Sequence, residues 1–357
     1  MFKILDRYII RKFLGTYIFA IVLILAITVM FDINEKLDAF LKAPLKATVF
    51  DYFLNFLPYF ANQFSPLFTF IAVIFFTSKL ADNSEIIAML SSGVSFKRLM
   101  VPYMVSAAVI AASTWVLSAY IIPPANIKRL EYTNTYVKNK RVDYGRNIQL
   151  MVAPGEIAYM SRFDNTTKTG YRFSLDKFDG KKLVSRLTST TIKWDTLYQW
   201  QVRDYMIRDI EGMTEKITKG SRLDTIIPIE PRDFLISETD HEKMTSPQLQ
   251  EYIARQKLRG VANIKSFEIE NERRYAICAA AFILTLIGMS LSSKKVKGGM
   301  GINIGIGLVL SFSYILFTTV TSSFAISGYT SPFVAMWIPN VIYIIIGIVL
   351  YRRASAG

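Results

Sequence analysis

The side chains able to do chemistry in this chain are mostly charges set at the edges of long apolar runs. Lys36, Lys42 and Lys46 fall within one short segment, residues 32–49. Beside a membrane they could pair with the phosphates of an anionic lipid head group, or simply stand in solvent; both readings stay open. Nucleophilic and metal chemistry is poorly provided for. His241 is the only histidine and Cys278 the only cysteine. A Ser/His/Asp triad or a His-rich metal site would therefore rest on one residue in a loop, and neither an internal disulfide nor a thiolate cluster can form. Glu268, Glu270, Glu272, Arg273 and Arg274 read as interfacial ion pairs. The glycines at 298, 299, 301, 305 and 307 have the look of a nucleotide-binding loop. They follow no predicted strand and open an apolar run, so close helix packing is the expectation.

The elements that must position these charges are membrane spans. Of the 357 residues 52% are hydrophobic, and they gather into uncharged runs at 13–31, 50–78, 99–122, 275–291, 301–326 and 332–351. Each provides most or all of the roughly 20 residues that a bilayer crossing needs, so six transmembrane helices are expected. Lys and Arg outnumber Asp and Glu by 42 to 28, which in a soluble protein would suggest nucleic acid. Here the placement argues for orientation instead. Lys3, Arg7, Arg11, Lys12, Lys79, Lys97, Arg98, Lys294, Lys295, Lys297, Arg352 and Arg353 all fall on one side if the spans alternate. By the positive-inside rule that side, with both termini, is cytoplasmic. The first run is long enough to span and no small-residue cleavage site follows it, so it is expected to be retained.

Between the second and third runs, residues 82–95 predict a short amphipathic helix with Ile86, Ile87, Met89 and Leu90 on its apolar side. Asp82, Asn83 or Ser84 would cap it and Gly93 would close it. At a membrane surface such a helix is placed to dock something in the water phase. Within the second run Pro58, Asn62, Gln63, Ser65 and Pro66 should face other helices, with a kink. The third span is expected to end at Pro123-Pro124. Strand-like segments follow at 148–152, 156–161, 171–175, 183–194 and 200–210, separated by turns, and they predict an inserted β-domain of jelly-roll or related sandwich type. Ser246 and Pro247 open a further helix reaching about residue 259. The expected organisation is an N-terminal membrane half (1–122), the β-domain (123–243), a helix and connector (244–272) and a C-terminal membrane half (273–357).

Four stretches resemble the permease family of the lipopolysaccharide export system, LptF/LptG. They are Asp6-Arg7-Tyr8-Ile9; Asn83-Ser84-Glu85 through Ser91-Ser92-Gly93-Val94-Ser95; Pro231-Arg232-Asp233-Phe234 followed by Met244 and the helix from Ser246; and Gly328 through Pro332 with Trp337-Ile338-Pro339-Asn340. The resemblance implies an α-helical membrane protein of six spans, arranged three and three around a periplasmic β-jelly-roll, in the bacterial inner membrane. It implies a subunit of an ATP-binding-cassette transporter that extracts lipopolysaccharide. Its partners would be a paralogous permease, two cytoplasmic ATPase subunits and a periplasmic jelly-roll bridge protein. No cofactor is expected in this chain, because ATP and Mg would be bound by the ATPase; the chain contains no G-x-x-x-x-G-K-S/T sequence. By the same resemblance Asn83, Glu85, Met89, Leu90 and Gly93 would couple to the ATPase. Lys36, Lys42, Lys46, Lys128 and Arg129 would hold the lipid phosphates, and spans one and five would face the paralogue. Glu272-Arg273-Arg274-Tyr275 departs from the family in lacking a proline soon afterwards. Two rival readings are a cassette-linked mechanotransmitter, which usually has four spans, and a membrane scaffold that displays a β-domain.

Overall fold

The computed structural model describes residues 4–137, 144–212, 214–231, 240–258, 264–294 and 300–356. They divide into two compact units. One contains Met1–Lys138, Glu242–Pro247 and Lys265–Gly357; the other contains Asn139–His241 and Gln248–Ile264.

In the first unit six helices are long and apolar enough to cross a membrane, lying at Ile4–Glu35, Ser65–Asp82, Phe96–Val137, Lys265–Ser292, Gly301–Ile326 and Pro332–Ser355. We label the helices α1 (Ile4–Glu35), α2 (Leu37–Lys42), α3 (Leu45–Ala47), α4 (Leu54–Gln63), α5 (Ser65–Asp82), α6 (Glu85–Ser91), α7 (Phe96–Val116), α8 (Ile122–Tyr132), α9 (Ser246–Leu258), α10 (Lys265–Ser292), α11 (Met300–Ile326) and α12 (Pro332–Ser355). Helix α5 is central: 78% of its apolar stretch is buried, against 11% for α1 and 22% for α11. A helix apolar all round finds neighbours on every side, which suits α5 with Phe68, Phe70, Val73, Ile74 and Phe76 in its core.

Lipid tails are as apolar as leucine, so close packing and polar contacts must draw these helices together. At Gly288 of α10 an added Cβ would lie 2.2 Å from Val73 Cγ1, and at Gly307 of α11 it would lie 2.2 Å from Ile74 Cδ1. These two glycines let α10 and α11 approach α5. The packing expectation for the glycine run thus holds at Gly307, whereas Gly301 and Gly305 meet nothing within 4 Å; Gly298 and Gly299 lie outside the described residues. Polar contacts add to this, Asn303 Nδ2 of α11 donating to Ser78 Oγ of α5 at 3.3 Å and Tyr314 of α11 to Asn340 Oδ1 of α12 at 2.9 Å.

Two of the expected spans differ in extent. The run 50–78 is not one helix: a π-helical stretch, Thr48–Phe53, leads into α4, and the chain breaks at Phe64 before α5 begins. Pro66 lacks the N–H that would continue the ladder and is accommodated in the first turn of α5. The expected kink is therefore a break at Phe64. Conversely, the third span does not stop at Pro123-Pro124. Helix continues through Val137, because a π-helical stretch, Leu117–Ile121, takes up the register and both prolines fall in the first turn of α8, where a missing donor costs least.

The second unit is built on a six-stranded antiparallel sheet of β1 (Tyr144–Ala153), β2 (Glu156–Asp164), β3 (Thr169–Asp179), β4 (Lys182–Trp194), β5 (Gln199–Glu211) and β6 (Thr214–Ile226), paired in chain order. The five predicted strands are present and longer than expected. The sequence predicts no sixth strand because Thr214–Ile226 is mostly polar and largely exposed, as an edge strand often is, with Leu223 packed against the core. Short turns join neighbours directly, and the described strands form a meander without the partner exchange of a Greek key. Ala158, Met160, Phe173, Leu175, Ile192, Trp200 and Val202 form one core, with the Trp200 indole donating to Ile229 O at 3.0 Å. An added Cβ at Gly170 would stand 2.6 Å from Met160 Sδ.

Candidate functional site

The connection between α5 and α7 forms a built corner. Asn83 ends α5, and Ser84 turns through a left-handed conformation with φ 61°, so that α6 can start immediately at Glu85. The expected helix over 82–95 is thus shorter, and its start is set by a backbone turn: Ser84 makes no side-chain cap. At the far end Val94 N donates to Met89 O and Gly93 N to Leu90 O, while Gly93 takes φ +88°, a conformation that glycine adopts without a Cβ clash. Ser95 Oγ then accepts from Arg98 N and caps α7.

What fixes the corner in place is the start of α1. Arg98 donates to both oxygens of Asp6, at 2.8 and 2.7 Å. Tyr8 donates to Glu85 Oε2 at 3.1 Å, and Asn83 Nδ2 approaches Glu85 Oε1 at 3.3 Å. Residues 77 and 92 positions apart are thereby brought together, so that Asp6 and Tyr8 of α1 meet the corner formed by Asn83, Glu85 and Arg98. Ile86 is buried in the core shared by α5, α7 and α10, and Met89 and Val94 pack against it. Ile87 and Leu90 instead point away, 51% and 38% exposed. An apolar pair presented by an otherwise polar turn is suited to a partner's hydrophobic groove.

Of the residues expected to couple, Asn83, Leu90 and Gly93 are exposed and Glu85 is half-buried, held by Tyr8 and Asn83. Met89 faces inward and acts on the position of the helix. Ile87, also on the predicted helix, is exposed beside Leu90; the apolar pattern does not tell which of its members point out. The Asp6–Arg98 pair had no local signal at all.

The five basic residues expected at lipid phosphates all lie on or beside elements built around one aromatic cluster, Tyr52, Phe56 and Tyr132, with Phe40, Phe53 and Tyr136 against it. They divide in two. Lys36 is engaged by Asp32 and by the Tyr52 hydroxyl. Burial pulls its pKa down, but these hydrogen bonds outweigh that and hold it above the ordinary lysine value. Arg129 lies over the Tyr59 ring, 4.0 Å from its centre, and pairs with Glu242 at 3.0 Å. Lys42, Lys46 and Lys128 are exposed and make no ion pair among the described residues. No group of three metal-ligating side chains occurs among the described residues.

The charged segment expected before the fourth span is the first part of α10, where Glu270 takes Arg273 and Arg274. Glu272 accepts from the Trp337 indole at 3.3 Å, joining α10 to one of the stretches that carry the resemblance. A comparison with curated proteins finds no match. The description "Lipopolysaccharide export system permease LptF/LptG" fits residues 7–353, nearly the whole chain. With six helices able to cross a membrane and a six-stranded antiparallel sheet between the third and fourth, this chain belongs to the LptF/LptG family of lipopolysaccharide export permeases, integral membrane transport proteins that are not themselves enzymes.

Proposed function

We propose that the chain is one of two paralogous permease subunits of an ATP-driven machine that lifts lipopolysaccharide out of the bacterial inner membrane and passes it to a periplasmic bridge protein. The observation that carries this reading is the corner at α6. A short helix with outward Ile87 and Leu90 is tied by Glu85 to Tyr8 of α1 and flanked by the Asp6–Arg98 pair. Force applied there by a cytoplasmic ATPase would be transmitted to α1, α5 and α7 together. ATP and Mg belong to that ATPase, two copies of which serve the pair. Both termini lie in the cytoplasm, and the sheet unit is periplasmic, corresponding to the family's jelly roll between two sets of three spans.

The bare faces of α1 and α11 support their role as the sides that meet the paralogue and open toward lipid, since they are the least buried of the six spans. Lys42, Lys46 and Lys128 are the cations available to lipid A or core-sugar phosphates. Lys36 and Arg129 join them only by exchanging their internal partners.

A Glu85→Lys substitution places a cation where Tyr8 now donates and where the partner would find an acid. The ATPase should no longer copurify with the tagged chain, while the chain itself still reaches the membrane. Undiminished copurification would refute docking through this corner. A complex that binds ATPase but releases no lipopolysaccharide from vesicles would favour the mechanotransmitter reading.

A further inference from the structure

The chain passes between its two units at Glu242–Pro247, a segment that belongs to the membrane unit. Two arginines from different helices hold it. On α8, Arg129 donates through Nη2 to Glu242 Oε2 at 3.0 Å and through Nε to Asn126 Oδ1 at 2.9 Å, with its plane over Tyr59. Asn126, 1% exposed, in turn donates to the backbone carbonyl of Glu242 at 3.2 Å. On α10, Arg274 is 3% exposed; it donates to Glu270 Oε1 at 3.0 Å, to Ser246 Oγ at 2.9 Å and to the carbonyl of Met244 at 2.9 Å.

A connecting segment is ordinarily solvated, and its backbone is free to move. Here the Glu242 and Ser246 side chains and the Met244 carbonyl are taken up by two guanidiniums, that of Arg274 buried and that of Arg129 half-buried, and the Glu242 carbonyl by Asn126. Burying such charges brings little net stability, because apolar side chains of similar volume would serve as well. What directed donors do provide is a fixed position. Arg129 reads the segment at one end and Arg274 at the other, so α8 and α10 cannot shift relative to one another without carrying it or breaking the bonds.

We propose that Arg129, Glu242 and Arg274 form a rigid clamp of positioning residues, through which movement of α8 and α10 is delivered to the segment that leads to and from the sheet unit. This rests on the transport reading above. The clamp stays closed through the cycle, and its loss separates ATP hydrolysis from lipid release.

The test uses the full complex with its partner permease and ATPase in lipopolysaccharide-containing vesicles, with ATP hydrolysis and release to an acceptor followed together. Arg129→Cys with Glu242→Cys, in a Cys278→Ser background, is assayed before and after reaction with bismaleimidoethane, a linker short enough to replace an Arg–Glu pair. Before reaction, lipid released per ATP should fall about tenfold, within the range by which changes along a coupled element alter coupling. After reaction it should recover, with hydrolysis little changed in either state. Full release in the unlinked variant overturns the clamp, and so does a block on linking, which would make the segment a moving gate. If the cysteine variant does not assemble, the exchange Arg129→Glu with Glu242→Arg decides: recovered coupling relative to either single variant supports the clamp, and an assembled complex that stays as uncoupled as the single variants overturns it. A wild-type complex that releases no lipid would refute the transport reading itself; wild-type release with an indifferent variant removes only the clamp.

Discussion

Replacing Asp6 or Arg98 by alanine should reveal which end of their ion pair matters. The pair is asymmetric: the Asp6 carboxylate is 2% exposed and the Arg98 guanidinium 39%. In Asp6→Ala the arginine is left at a surface where water can replace its lost bonds. The two charge-assisted contacts, at 2.8 and 2.7 Å, hold the guanidinium at two points of the carboxylate. Rehydration of the exposed arginine returns much of what is lost, so Asp6→Ala should be the milder change. In Arg98→Ala the carboxylate stays buried and loses the guanidinium, so the loss should be the larger of the two.

Reversible unfolding in mixed micelles of the single variants and of the double variant gives both values and their coupling. Equal losses, the opposite order, or a coupling below about 0.5 kcal/mol would show that the pair does not tie α1 to the corner. The functional consequence follows from position. A cysteine introduced at Leu90 should become more reactive to a water-soluble maleimide in both variants, because α6 then loses its support from α1.

Gly288→Val places branched carbons against Val73 Cγ1, where even a Cβ would be 2.2 Å away, and overpacking of this kind costs about 1–3 kcal/mol. Gly15→Val meets nothing within 4 Å and should leave the stability of the single chain within about 0.5 kcal/mol. Thermal inactivation in detergent compares the two, and indistinguishable midpoints would refute the close approach of α10 to α5. In the sheet unit, the backbone amides of Thr166 and Thr167 hold the Asp164 carboxyl below its ordinary value. A depressed pKa contributes stability above the ordinary carboxylate range and loses it as pH falls through the depressed value. Amide exchange at this turn should therefore be faster in Asp164→Ala than in the wild type at neutral pH. The difference should vanish once the wild-type carboxyl is protonated; one that persists at the lowest pH would rule out the charge as its cause.

Local composition and period were enough to reveal the six apolar spans, five of the strands with their turns, and the amphipathic helix around Glu85. These depend on what each residue does relative to near neighbours: an uncharged run of sufficient length, alternation at a period of two, a glycine where the backbone must turn left-handed. Even there, local signals misjudged extents. Pro123-Pro124 reads as a stop in sequence, but in space both prolines fall at a helix start, where their missing donors are harmless. Strand β6 lacks a clear alternation of apolar and polar residues, which an edge strand does not need.

The tertiary structure alone decided which charges meet. Nothing near Asp6 points to Arg98, nor anything near Arg129 to Glu242, since such pairs form across 92 and 113 positions only after the helices have packed. Packing likewise turned Met89 inward and Ile87 outward on the same short helix, engaged Lys36 and Arg129 internally, and left Lys42, Lys46 and Lys128 exposed. The chain thus states in its own order which segments enter the membrane and which residues are charged. Whether a given charge recognises a ligand or holds two elements together depends on desolvation and on the partner brought to it, and those exist only in the folded protein.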